Sequence, residues 1–469
     1  MLKTPIIDAI ERYLGEKNSP FSMPGHKMGR GFLKYKNLNE LLLRGDLTEV
    51  EGLDNLHSPE GAIKESLDLL KNLYGSKKSY FLVNGSTSGN LIMMFSAFKE
   101  GDKILVERNC HKSIFNGIIL RKLNPVYVRS KINKEFNAPL TIDKEHFCYE
   151  LKNNKDIKGI VLTYPSYYGT SVNLKEIIDL CKERNIKVLV DCAHGAHFGI
   201  SDLIPENPLS LGADMVVMSA HKTLPSLTQT SFLHINNNSS IEDTDFYFSA
   251  FSSTSPSYPF MMSLDFARAY LNEYGKEEYE RLIEQCNYIR EKIDSLPFFK
   301  TLSGKNLKDK SIVIDPSRIV INLKDGFSGH RLLEYLRKNS IQCEMSDESN
   351  VILMPSPFNT KEELDSIYNV LEKCTIEDIK GKTKSIEVFN IPDLVIKPEE
   401  ILTMEKISVD YREVEGKICG KNIVPYPPGI PLIIMGERFD SIIIDKLKEL
   451  IEDNVTILGM ENYKVWVLK

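Results

Sequence analysis

Between residues 60 and 290 the chain alternates short runs of apolar and β-branched residues with longer stretches of helical period. Such alternation confines the fold to α/β, a mainly parallel sheet with helices on both faces. Parallel strands need long crossover connections and are buried on both sides. The runs at 78–83, 103–107, 126–129, 159–163, 188–191, 214–219 and 231–235 are predicted strands. Helices are predicted over 60–74, where Ile63, Leu67, Leu70 and Tyr74 share a face, and over 88–98, 113–123 and 174–184. Ligands of such sheets sit beyond the carboxyl ends of the strands, so the residues just after each run are the first candidates for function.

A long helix is predicted over 264–294, and beyond Pro297 the pattern changes to a smaller α/β unit. That unit has a strand at 318–323 and helices at 329–338 and 361–374. The lysine- and glutamate-rich stretch 378–400 reads as a junction to a last α+β unit, which contains the rigid turn Tyr426-Pro427-Pro428-Gly429-Ile430-Pro431. At 469 residues several domains are expected: an amino-terminal segment 1–35, a large domain 36–295, a small domain 296–377 and a carboxy-terminal domain 378–469.

Net charge is −6 and the basic residues are dispersed, which gives no footprint for nucleic acid or an anionic membrane. No apolar run approaches the roughly 20 residues that span a bilayer. The first residues lack the apolar core of a signal peptide and lead into an amphipathic helix carrying Asp8, Glu11 and Arg12. Eight scattered cysteines form no Cys-x-x-Cys pair or zinc-spaced cluster, so no metal is expected. A reduced, cytoplasmic protein is the expectation.

Two of the strand ends carry distinctive chemistry. Asp191 closes the run 188–191, and Met218-Ser219-Ala220-His221-Lys222-Thr223 follows the run 214–217. A lysine that can condense with an aldehyde and a carboxylate that can keep a pyridine nitrogen protonated suit pyridoxal 5'-phosphate. Asn84-Gly85-Ser86-Thr87-Ser88-Gly89-Asn90, between a strand and a helix, offers hydroxyls and helix amides to a phosphate. His111, beyond another strand end, can stack on a ring, and Ala193 shares the side of Asp191. Each feature also has an ordinary reading: a small-residue turn, a loop histidine, a helix-capping aspartate, a surface lysine. His194 and His197 have the gap of a metal pair but lack a convincing further set of ligands. The combination, rather than any one residue, carries the argument.

The chain resembles the Orn/Lys/Arg decarboxylase family, basic amino-acid decarboxylases of the aspartate-aminotransferase fold (fold type I). The resemblance rests on Pro24-Gly25-His26-Lys27, Asp46-Leu47-Thr48-Glu49, residues 52–61, residues 84–90 and Cys110-His111-Lys112-Ser113. It continues through Tyr164-Pro165-Ser166-Tyr167-Tyr168-Gly169, Asp191-Cys192-Ala193-His194-Gly195-Ala196-His197, residues 219–224, residues 254–258 and residues 426–431. It implies that Lys222 holds the cofactor aldehyde and Asp191 pairs with the pyridinium nitrogen, with His111 and Ala193 on opposite faces of the ring. Ser86, Thr87, Ser219 and His221 would take the phosphate, and His194 would join the cofactor-binding set. Ser253 or Thr254 would reach the cofactor of a neighbouring subunit in a homodimer or dimer of dimers.

The family's largest members carry an extra amino-terminal domain, and here Pro24 follows only 23 residues, so rings built with that domain are not expected. The resemblance points to the shorter biosynthetic-type branch and to arginine as substrate, with lysine and ornithine next. Lys222 or His221 would return the proton to Cα. Glu49, Glu51, Asp54, Glu344 and Asp347 are candidate partners for the basic side chain. An aminotransferase or lyase of the same fold and a non-catalytic cofactor-binding protein are the competing readings.

Overall fold

The computed structural model describes residues 4–236, 241–324, 326–381, 391–426, 431–452 and 455–469. Its centre is a seven-stranded sheet: β1 (Lys78–Leu82), β2 (Lys103–Glu107), β3 (Asn124–Val128), β4 (Ile157–Thr163), β5 (Lys187–Asp191), β6 (Met215–Met218) and β7 (Ser231–Ile235). The spatial order is β1-β7-β6-β5-β4-β2-β3. Six strands run in one direction and β7 runs antiparallel to both of its neighbours. All residues of β6 and β7 are buried, the pattern of strands covered on both faces.

The helices that bear on the site are α1 (Pro5–Gly15), α2 (Ala62–Tyr74), α3 (Gly85–Ala97), α4 (Lys112–Arg121) and α5 (Tyr258–Asp294). Two of them start earlier than their periodicity suggests. Gly85 takes φ +74° at the head of α3, so that helix opens inside the small-residue loop rather than at 88. Ser257 caps α5 by accepting from the N–H of Phe260, and Pro259 sits in the first turn, so that helix starts at 258 rather than 264. Asp54 caps α2, accepting from the amides of Glu60, Gly61, Ile63 and Lys64.

A second sheet of β8 (Phe299–Thr301), β9 (Ile319–Leu323), β10 (Met345–Ser346) and β11 (Asn350–Leu353) has the order β8-β9-β11-β10 and is antiparallel throughout. It carries α6 (Gly329–Lys338) and α7 (Lys361–Leu371). One hydrophobic core runs without a break through this sheet and the central one. A separate core built on Tyr411, Val414, Ile423, Ile433, Phe439, Leu447, Val465 and Val467 belongs to the carboxy-terminal segment. Of the expected turn 426–431, residues 427–430 lie outside the described residues, as do residues 382–390 of the expected junction.

The amino-terminal segment ties these parts together. Its strand Ser19–Phe21 pairs in parallel with Ile341–Cys343. The N–H of Gly25 then donates to the carbonyl of His221 (2.7 Å). A Cβ on Gly25 would stand 2.7 Å from the Leu224 oxygen, which is why a glycine follows Pro24 here. Lys27 is enclosed next to it and donates to the carbonyls of Ser22 (2.6 Å) and Met354 (2.8 Å). Among the described residues no helix is long and apolar enough to cross a membrane.

Candidate active site

Four neighbouring parallel strands, β2, β4, β5 and β6, end on the same edge of the sheet, in Glu107, Thr163, Asp191 and Met218. Thr163 and Val217 flank Asp191 in register, and the single helical turn Ala220–Thr223, which starts directly after Ser219, presents Lys222. Here the chain forms a cleft of about 750 Å³, part of it open to solvent. Ser86, His111, Asp191, Ala193, His194 and Lys222 line it together, so residues from four places in the sequence converge.

Asp191 is buried and held from two sides. Its Oδ2 accepts from Nδ2 of Asn90 (2.8 Å), and its Oδ1 from the N–H of Ala193 (3.1 Å). Asn90 sits one turn after Ser86 on α3, so both project from one helix face. Its amide also donates to Oγ of Ser113 (2.8 Å), and that hydroxyl lies 2.8 Å from Nδ1 of His111. Nδ1 accepts from the N–H of Ser113 (3.3 Å), so it carries no hydrogen and the Ser113 hydroxyl donates to it. His111 also caps α4 by accepting from the N–H of Ser113. Burial pushes its pKa down, against the pull of Asp191.

Lys222 Nζ lies 3.0 Å from Nε2 of His194 and 5.8 Å from the ring centre of Tyr167, which in turn packs 4.5 Å from His194. Burial lowers the amine to a pKa of about 8; Asp191 and Glu344 oppose the shift and Arg318 adds to it. His194 is driven well below its ordinary value by burial and then by the Lys222 charge. A neutral imidazole that accepts at Nε2 carries its hydrogen on Nδ1, and this buried nitrogen has no hydrogen-bond partner.

The remaining predicted residues are placed differently. Ser219 is fully buried and its Oγ has no partner. His221 turns its Nδ1 to the carbonyl of Thr230 (2.9 Å), and burial takes its pKa to about 4. Thr87 is exposed on the first turn of α3, and Thr254 is exposed in the loop before α5. His197 pairs with Asp315 (3.2 Å) and stacks on Tyr279. Asp347 is spent on Tyr168, Ser349 and Asn350.

Glu107, Asn90, Ser113 and Tyr167 belong to the site without having been singled out from sequence. Glu107 closes a predicted strand on the same edge, and Asn90 closes the small-residue motif, so both had a positional signal. Burial raises the Glu107 carboxyl to about 7; the Thr163 N–H opposes the shift and the Asp191 charge adds to it.

The donor set fits pyridoxal phosphate. An acceptor-rich carboxylate and a lysine with a lowered pKa share the cleft with Ser86 at the head of a 13-residue helix, and the buried hydroxyl of Ser219, three residues before the lysine, has no partner. That head supplies free amides for an anion.

Comparison with known proteins agrees with this geometry. The family model described as the Orn/Lys/Arg decarboxylase major domain matches residues 4–363, and its C-terminal-domain counterpart matches residues 391–462. The uncharacterized protein YaaO of Bacillus subtilis is 37% identical over 98% of this chain and 96% of its own length. An arginine decarboxylase of Bacillus anthracis is 29% identical over 100% of this chain and 97% of its own. The crystal structure of a Francisella novicida lysine decarboxylase superposes with a TM-score of 0.79 at 20% identity, covering 99% of this chain and 83% of that one.

Proposed function

From the premise that the chain belongs to the Orn/Lys/Arg decarboxylase family and is a pyridoxal-phosphate-dependent decarboxylase, we propose that it converts L-arginine to agmatine and carbon dioxide. The observation that carries the chemistry is the convergence of Lys222, Asp191 and His111 on one cleft. The arginine reading is supported by the full-length likeness to an arginine decarboxylase. Lysine and ornithine are the alternative substrates.

In this reading Lys222 holds the cofactor aldehyde, and Asp191, fixed by Asn90 and the Ala193 amide, holds a proton on the pyridine nitrogen. The cofactor, when bound, supplies the electron sink that accepts the pair left by departing carbon dioxide. His111, with Nδ1 tied back to Ser113, would stack on the cofactor ring, and the small Ala193 would leave room for it. Ser86 and Ser219 offer hydroxyls to the phosphate. Lys222 is the better-placed proton donor to Cα, because Nδ1 of His221 is engaged by Thr230.

Of the five acidic candidates for the substrate's basic group, Asp54 and Asp347 have structural duties. Glu344 accepts one backbone hydrogen bond, from the N–H of Met23 (2.9 Å), and its charge acts on Lys222; we assign it that role. A second copy of the chain is proposed to cover the exposed apolar residues Leu33, Leu43, Leu47 and Val50, since Leu43 alone is 82% exposed. We further propose the domain divisions at 35/36, 295/296 and 377/378, and a cytoplasmic location.

The test is carbon dioxide release from arginine, lysine and ornithine offered separately to cofactor-loaded protein, with Lys222→Ala as control. Release from arginine, abolished in the variant, supports the proposal. Release only from another substrate replaces arginine, and keto-acid formation without carbon dioxide rejects decarboxylation.

A further inference from the structure

The carboxy-terminal segment reaches the cofactor cleft without lining it. Arg108 directly follows Glu107 at the end of β2, and its guanidinium forms a two-pronged ion pair with Glu437, Nη1 to Oε1 at 2.6 Å and Nη2 to Oε2 at 2.7 Å. Glu437 is fully enclosed and also accepts from the N–H of Ile434 (2.9 Å). The guanidinium lies 5.0 Å from the ring centre of Tyr127 on β3, and the Arg108 N–H donates to the Val128 carbonyl (2.8 Å). The geometry therefore admits one arrangement of the residue that begins the loop 108–111.

The other end of that loop is gripped from the same side. His111 caps α4, and Phe115, Ile118 and Ile119 of that helix face Pro398, Ile434 and Met435 of the carboxy-terminal segment. Between the two grips lie Asn109, Cys110 and His111, all of them walls of the cleft. Two charges inside protein are an expensive way to join two surfaces that already meet through apolar contacts. What a planar fork adds is direction, because it fixes the partner's orientation as well as its distance.

We propose that Arg108 and Glu437 are positioning residues for the decarboxylation, through which the carboxy-terminal segment sets His111 against the cofactor ring. This rests on the reading of His111 as the stacking residue. A fork that only joined surfaces would affect melting, whereas one that aims His111 affects cofactor affinity and turnover through that residue.

A double-mutant cycle on the full-length protein separates the two. The dissociation constant for pyridoxal phosphate, followed by the absorbance of the bound cofactor, is measured together with kcat and KM. The proteins are wild type, Glu437→Gln, His111→Ala and the double variant. Glu437→Gln is expected to weaken cofactor binding and lower kcat about tenfold with KM little changed, and in the His111→Ala background by no more than about twofold. Equal losses in both backgrounds, or a lower melting temperature with wild-type affinity and kcat, would overturn the proposal and leave His111 in its role. His111→Ala with wild-type affinity and kcat would remove the stacking reading and this proposal with it. If Glu437→Gln does not fold, Arg108→Gln/Glu437→Gln removes both charges at once and is read in the same cycle.

Discussion

Nζ of Lys222 stands 3.0 Å from Nε2 of His194, a fully enclosed imidazole kept neutral by its surroundings. A hydrogen bond to that neutral acceptor favours the ammonium form of Lys222, but burial outweighs it and tips the balance toward the uncharged amine.

The pH dependence of cofactor uptake follows. With its pKa lowered to about 8, Lys222 is nucleophilic in roughly a tenth of molecules at pH 7, against roughly three in ten thousand at its ordinary value. Only the neutral amine attacks an aldehyde, so the uptake rate of cofactor-free protein should rise with pH and level off above about 8. Stopped-flow absorbance between pH 6 and pH 10 reads this, and a rate that keeps rising about tenfold per pH unit up to pH 10 without levelling would contradict it.

Asp191→Asn keeps the shape of the side chain and removes its charge. Turnover should fall by about a hundredfold or more, on the scale of losing a fixed charge at a reacting centre, while cofactor still binds. Steady-state kinetics beside a cofactor titration checks the split. Turnover near wild type would show that the carboxylate does not hold the ring proton.

Glu344→Gln removes the negative charge assigned to the substrate's basic end. KM for arginine should rise about tenfold or more, as expected for losing a charged partner, with kcat changed less. An unchanged KM would transfer that role to another acid.

Glu107 makes stability depend on pH. Its folded pKa of about 7 lies above the ordinary carboxyl value, because burial disfavours the anion. The native state therefore binds more protons than the unfolded state between pH 4.5 and 7, and stability falls as pH rises through that window. Glu107→Gln should flatten this part of the profile, a difference on the order of 2–3 kcal/mol between pH 5 and pH 8. Denaturant midpoints at the two pH values measure it, and parallel profiles would show that Glu107 titrates normally.

The sequence disclosed the sheet because its strands are continuous apolar runs, and the positions of Asp191 and Lys222 followed from where those runs stop. It disclosed helix bodies better than helix starts, since Gly85 and Ser257 begin helices through backbone angle and capping rather than through periodicity. The amphipathic pattern over the first residues does form α1, yet none of its residues is buried, and periodicity says nothing about what covers an apolar face. Partnerships across long separations were out of reach. Nothing in the neighbourhood of Arg108 announces Glu437, and Asp347 could be told from Glu344 only by seeing that the fold ties Asp347 to Tyr168, Ser349 and Asn350 and Glu344 to the N–H of Met23.

The pairing of Ser19–Phe21 with Ile341–Cys343 bears on how the molecule is made. Synthesis at roughly 5–20 residues per second separates the two strands by roughly a quarter of a minute to a minute. Throughout that interval the central sheet can close around its own core. Ser19–Phe21 must wait for its partner strand, and Lys27 for the carbonyl of Met354. The segment that seats Gly25 against the Lys222 turn is thus made long before its partners and is among the last to dock. A nascent chain stalled before residue 341 would carry a formed sheet with an unfinished lysine loop.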